Sequence, residues 1–185
     1  MATAAEAPAP ATEVEPEGLY EVVGGKIVEK PPMGVYEAEI ASIIARLMGN
    51  FALSNHLGRA VAEMLFRIDP ERPLDRRPDV AFVSHERWAL ERRAPRTAAW
   101  EVVPDLAVEV LSPGNRTVDD GQKIEDYFRA GVRTVWLVYP NVAKTYVYTS
   151  PTSVSILDLG GTLDGGPVLP GFRLPLTTLF GEGPA

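Results

Sequence analysis

Two acidic residues in apolar segments, followed by a lysine, have the types and spacing to do chemistry. Asp79 stands in Arg76-Arg77-Pro78-Asp79-Val80-Ala81-Phe82-Val83, and Glu109 in Pro104-Asp105-Leu106-Ala107-Val108-Glu109-Val110-Leu111-Ser112-Pro113. Strands this apolar are usually buried, and a buried carboxylate is costly unless it is paired, hydrogen-bonded or bound to a metal. Two carboxylates from separate strands can converge on one hard cation. Lys123, on what reads as a helix, would then suit phosphate chemistry. Alternate side chains of a strand share a face, so Glu109 points with Ala107 and Leu111, and Asp79 with Ala81 and Val83.

Each residue also has a structural reading. Asp79 could cap a turn, and Glu109 could neutralise a buried arginine. Lys123 could pair with Asp119 at i,i+4 spacing, an interaction worth only ~0.3–0.5 kcal/mol. Taken together, the two acids favour a site. Glu63, in Ala62-Glu63-Met64-Leu65-Phe66, is either an in-strand partner of Arg67 or a third acidic site residue. Glu37 and Glu39 open a long helix, where the helix dipole alone favours acids.

Other chemistries fit poorly. The chain has two histidines and no cysteine, so neither a histidine-rich nor a thiolate metal site is supported, and no disulfide framework exists. No Gly-x-Ser-x-Gly elbow occurs, and no glycine-rich loop ends in Gly-Lys-Ser/Thr. The tryptophans Trp88, Trp100 and Trp136 are dispersed, which is not the pattern of a base-stacking platform.

The elements that must position these residues follow from periodicity and breakers. Residues 1–17, rich in Ala, Pro and Glu, read as a disordered tail, and 18–185 as a single domain. Tyr20 to Val23 and Lys26 to Glu29 flank Gly24-Gly25 and read as a tight hairpin. Ile40, Ile43, Ile44, Leu47, Met48 and Phe51 recur at three- and four-residue spacing, which predicts a helix over about Tyr36 to Leu53. Strands are expected at Val61 to Ile68, Asp79 to Val83 and Leu106 to Leu111, with a charged connection over Asp69 to Pro78. Ser112-Pro113-Gly114-Asn115 breaks the chain before a helix over Asp119 to Ala130, which Gly131 stops. Thr134 to Tyr139 and Lys144 to Thr149 read as a hairpin, with a further strand over Ser153 to Leu159. Phe172, Leu174, Leu179 and Phe180 are expected to pack on the body. The order is α+β or mixed α/β: a central sheet flanked by one long early helix and one shorter late helix.

At 185 residues, 45% hydrophobic and 23% charged, the composition is that of an ordinary globular protein. No apolar run is long enough to span a bilayer and no signal-peptide pattern opens the chain, so no membrane partner and a cytoplasmic location are expected. The formal charge of −7 opposes strong non-specific nucleic-acid binding. Glu6, Glu13, Glu15, Glu17 and Glu21 all precede the first cation, Lys26, and account for much of it. Arg67, Arg72, Arg76, Arg77, Arg87, Arg92, Arg93 and Arg96 cluster around Asp79, as either a solvated loop surface or a phosphate-contacting rim.

The runs around Asp79 and Glu109, in this order, resemble those of the large bacterial Uma-type family of restriction-endonuclease-like proteins, formerly a domain of unknown function. Lys123 with Tyr127, Ala130-Gly131-Val132, Val135-Trp136-Leu137-Val138, the early hairpin and Leu169-Pro170-Gly171-Phe172 extend the resemblance over about residues 18–180. That family is placed in the PD-(D/E)XK nuclease superfamily. The resemblance implies a restriction-endonuclease-like core, a central mixed sheet flanked by helices, here with an N-terminal β-hairpin. It implies Mg²⁺-dependent phosphodiester hydrolysis, with Mn²⁺ as a substitute. It assigns Asp79 and Glu109 as the acids, Lys123 as the catalytic lysine, and the Val110 carbonyl to the metal shell. Glu63 would order a metal-bound water or a second ion. The partner implied is nucleic acid, DNA by preference, with a homodimer expected if both strands of a duplex are cut. One departure stands out: two positions after Glu109 is Leu111, where the superfamily has lysine, so Lys123 must reach back from the helix. A catalytically silent nuclease fold acting as a binding module is the alternative.

Overall fold

The apolar stripe at Ile40, Ile44 and Met48 forms helix α1, Val35–Ser54, in a computed structural model that describes residues 18–69, 71–112 and 119–181. The tail expected over 1–17 and residues 113–115 of the expected breaker lie outside the described residues. In chain order the elements are β1 (Tyr20–Val23), β2 (Lys26–Glu29), α1, β3 (Gly58–Ala62), β4 (Phe66–Asp69), β5 (Leu74–Arg76), β6 (Val80–Ser84) and β7 (Leu106–Val110). There follow α2 (Asp119–Ala130), β8 (Thr134–Tyr139), β9 (Lys144–Ser150), β10 (Ser153–Leu157), β11 (Thr162–Asp164), β12 (Arg173–Pro175) and α3 (Leu176–Phe180).

Six strands make the central mixed sheet, in the order β10-β9-β8-β7-β6-β3. β7 and β8 run parallel, joined by the crossover that carries α2, and the other pairs are antiparallel. Strand alternation sorts the core into two layers. Val80, Phe82, Leu106, Val108, Val110, Trp136 and Val138 face α1 and the C-terminal segment, where Phe172, Leu174 and Leu179 are buried as expected. Ala81, Val83, Ala107, Val135 and Leu137 face the other way, towards Ile124 and Tyr127 of α2 and Phe66, Ile68 and Leu74 of a second sheet. Asp79 and Glu109 have the parity of this second face.

The second sheet is antiparallel, in the order β2-β1-β5-β4, and contains the hairpin read from the sequence. Gly24 and Gly25 take φ of 58° and 79°, which a two-residue turn of this kind requires. Gly58 is obligatory for another reason: a Cβ there would lie 2.2 Å from the Val83 carbonyl oxygen where β3 begins pairing with β6.

Two expectations are corrected. Val61 to Ile68 is not one strand: β3 joins the central sheet beside β6, and β4 joins the second sheet beside β5. The chain turns between them at Glu63, whose φ is 49°. The apolar run crosses the break without sharing a ladder: Leu65 and Phe66 are buried, whereas Val61 is half-buried and Ala62 exposed. The connection from Asp69 to Pro78 holds the buried strand β5. Its charges are tolerated inside because Asp75 accepts from Arg67 at 3.1 Å and Arg76 donates to Glu21 at 2.8 Å.

Candidate active site

Asp79 lies one residue before β6, after a proline, where the antiparallel β6–β7 ladder ends. Its carboxylate extends that ladder: Oδ2 accepts the Val110 N–H at 2.6 Å. Its Oδ1 accepts from the Lys30 ammonium at 2.5 Å, and the same ammonium donates to the Arg77 carbonyl at 2.9 Å. Asp79 is thus a cap, but of a strand end rather than a turn, and it is only 2% exposed.

Glu109, the penultimate residue of β7, projects from the same face of the sheet. Its Oε1 accepts the Tyr127 hydroxyl at 2.6 Å and lies 3.0 Å from the Lys123 ammonium. Lys123 reaches it from the second turn of α2, because Lys123, Ile124 and Tyr127 share the side of the helix that faces the sheet. The ammonium also lies 3.1 Å from Oε1 of Glu21 on β1. Glu21 in turn accepts from Arg76 at 2.8 Å and from the Arg77 N–H at 2.8 Å. Arg76 continues the chain of ion pairs to Asp126 on α2. All of these groups except Arg77 and Asp126 border one cavity of about 330 Å³, closed on one side by Lys30 to Met33.

Burial is the largest influence on Glu109, Lys123, Glu21, Arg76 and Tyr127. It raises the Glu109 carboxyl, and Asp79 and Glu21 add to the rise, against Lys123 and Lys30. Burial would strip the proton from Lys123, but Glu109 and Glu21 outweigh it and hold the ammonium above its usual range. Burial would likewise raise Glu21, yet Lys123 and Arg76 bring it below the ordinary glutamate value. The Tyr127 phenol is pushed well up by burial and by the Glu109 charge, so it remains a hydrogen-bond donor.

The structure therefore brings Asp79, Glu109, Lys123 and Val110 to one cavity. Glu63 does not border it: the residue stands at the turn between β3 and β4, where its carbonyl accepts from Arg77 at 2.6 Å. Glu37 and Glu39 do not border it either; Glu37 is buried at the start of α1 and Glu39 is exposed. The arginine cluster is largely committed to the fold. Arg67 pairs with Asp75, Arg87 with Asp105, Arg77 binds the Tyr20 and Glu63 carbonyls, and Arg92 stacks on Trp88. Trp88 and Trp100 are not dispersed: their rings meet edge-on at 5.2 Å inside the core. The side chain of Asp119 lies outside the described residues, whereas Lys123 has Glu21 and Glu109 as partners.

Sequence reasoning missed Glu21, Lys30, Arg76 and Asp126. Glu21 is one of the five acids that precede Lys26, yet it sits in the strand pattern Tyr20-Glu21-Val22-Val23. Strand parity could have put it on a buried face. Lys30, beside Pro31-Pro32, carries no local signal.

The donor set here is two carboxylates. Among the described residues no cluster of three or more His, Cys, Asp or Glu side chains is placed to hold a metal. Two still fit Mg²⁺, which keeps several waters and is commonly held by one or two carboxylates together with substrate phosphates. A strand residue presents its N–H and C=O to the same side, so the Val110 carbonyl faces the side on which its N–H meets Asp79.

A protein-family model, Uma2, described as "Putative restriction endonuclease", matches residues 8–177. Among solved structures, the chain is similar to a protein from Anabaena variabilis ATCC 29413 described as "a putative nuclease belonging to DUF820". The two are 20% identical, the match covers 90% of this chain and 92% of that chain, and the TM-score is 0.76. No curated protein matches this chain.

Proposed function

The chain belongs to the Uma2 restriction-endonuclease family and has a nuclease-like fold, and from that premise we propose that it is a divalent-metal-dependent nuclease hydrolysing phosphodiester bonds. The observation that carries the reading is the convergence of Asp79, Glu109 and Lys123 on one cavity, from a strand end, a strand and a helix. In this reading Asp79, Glu109 and the Val110 carbonyl hold Mg²⁺ or Mn²⁺. A bound ion of this kind lowers the pKa of a coordinated water and polarises a phosphoryl oxygen.

The chain's own residues do the rest. Tyr127 donates to Glu109 and fixes its rotamer, leaving Oε2 for the ion. The Val110 N–H fixes Asp79 in the same way. Lys123 stays protonated between Glu109 and Glu21, so a positive charge is held ready for the charge that develops on the phosphorus oxygens. Glu21 and Arg76 hold that lysine in position, and Leu111 needs no charge because the ammonium arrives from α2 instead. Nucleic acid is the substrate class, with DNA the preferred polymer; cutting both strands of a duplex would call for two copies.

The test is cleavage of single- and double-stranded DNA and RNA with Mg²⁺ or Mn²⁺, by the wild type and by Lys123→Met. The wild type should cleave only with the divalent ion. Lys123→Met should bind the ion nearly as well, by calorimetry, and lose about 10²–10³-fold in rate, as for removal of one preorganised charge-stabilising group. Cleavage in chelator, or an active Lys123→Met, would contradict the assignment. A second reading, a catalytically silent binding module, is favoured by one observation: both acids already have ammonium partners, Asp79 in Lys30 and Glu109 in Lys123. It predicts neither cleavage nor cation binding.

A further inference from the structure

Lys30 has no part in that mechanism, yet its ammonium makes a cation's contacts. It lies 2.5 Å from Oδ1 of Asp79 and 2.9 Å from the Arg77 carbonyl oxygen. A carboxylate oxygen and a backbone carbonyl are the donors that a hard divalent ion takes. We propose that Lys30 is the resident counter-ion of the Asp79 cation site, and that a divalent ion binds by exchange, entering as the ammonium leaves. The proposal rests on the metal-binding reading above and adds a competitor to it.

Two features distinguish Lys30 from Lys123 as the ammonium that leaves. Lys123 is held between two carboxylates, at 3.0 and 3.1 Å, whereas Lys30 has one carboxylate and one neutral carbonyl. Lys123 belongs to a helix, whereas Lys30 follows the last residue of β2 and precedes Pro31-Pro32, both exposed. Its main chain is fixed independently, through the N–H donated to the Leu19 carbonyl at 2.8 Å. The four-carbon stem can therefore swing the ammonium towards the cavity mouth while the backbone stays in place. The exchange also explains how an Asp79 that is 2% exposed tolerates the metal-free state: a buried charge needs a partner in both states.

The experiment is a Mn²⁺ titration, by calorimetry, of the wild type, Lys30→Met and Lys30→Arg, paired with thermal melts in chelator and in Mn²⁺. Exchange predicts that Lys30→Met binds Mn²⁺ on the order of tenfold more tightly than the wild type. That is the factor set by one charge-assisted hydrogen bond no longer given up. The same variant should melt lower in chelator and gain more from Mn²⁺. Lys30→Arg, which keeps a cation on Asp79, should bind no more tightly than the wild type. If all three bind Mn²⁺ equally, or Lys30→Met binds more weakly, exchange is overturned while the metal site stands. If none binds, the metal site falls and exchange with it.

Discussion

Glu109 has to be ionised to bind a cation, and its surroundings in the metal-free protein resist that. Burial raises its pKa, with Asp79 and Glu21 adding to the rise. A carboxyl raised on folding contributes stability that is fully present below its unfolded value and is lost as pH rises through the folded value. Above the unfolded value the wild type therefore gives up this contribution progressively, and Gln, which does not titrate, does not. Glu109→Gln should melt higher in chelator at pH 7, by about 1 kcal/mol, as substitutions that relieve a strained site do. The gain should shrink as pH falls below about 4, where the unfolded carboxyl becomes protonated as well. A lower melting temperature at pH 7 would mean that pairing with Lys123 outweighs burial, and would count against a site prepared for a metal. Residues of this kind were legible where type and environment clash, as for Asp79 and Glu109 in apolar strands. Glu21 was not, because its partners Lys123 and Arg76 are 102 and 55 positions away and only the fold brings them together.

Among the elements, β5 does most to assemble the site. It is short, charged and buried, and Arg76 at its end joins β1 through Glu21 to α2 through Asp126. Removing the guanidinium would leave both carboxylates inside with fewer partners. Arg76→Met should cost about 3–5 kcal/mol in denaturant unfolding, the usual loss when one partner of a buried ion pair is deleted. A loss under about 1 kcal/mol, in the range of an exposed ion pair, would show that β1 and α2 dock without it. Elements with a regular apolar period were legible: α1, β6, β7, β8 and the β1–β2 hairpin lie where their patterns put them. β5 was not, since Leu74-Asp75-Arg76 shows no apolar alternation and enters the core only because each charge meets a partner. The break at Glu63 was hidden for the opposite reason, an apolar run shared by two sheets.

At the scale of the whole molecule, two sheets meet at an ionic seam, with α2 beside it, and the cavity opens along the seam. The central sheet and the hairpin of β8 and β9 were foreseeable from the apolar segments and their breakers, whereas the parallel pairing of β7 with β8 appears only in the fold. The second sheet was not, because it joins a hairpin to two later strands across α1 and β3. The arginines near Asp79 illustrate the limit of composition. They are numerous enough to read as a phosphate rim, yet Arg67, Arg76, Arg77 and Arg87 each donate to groups of the protein itself. The central claim, that the seam positions Asp79 and Glu109 to share one hard cation, is tested most directly by anomalous diffraction from crystals soaked in Mn²⁺. The account predicts one strong peak within about 2.5 Å of a carboxylate oxygen of each residue, an ordinary oxygen–metal length, with the Lys30 ammonium withdrawn from Asp79. No peak in the cavity, or a peak on only one of the two carboxylates with Lys30 still seated on Asp79, would contradict it.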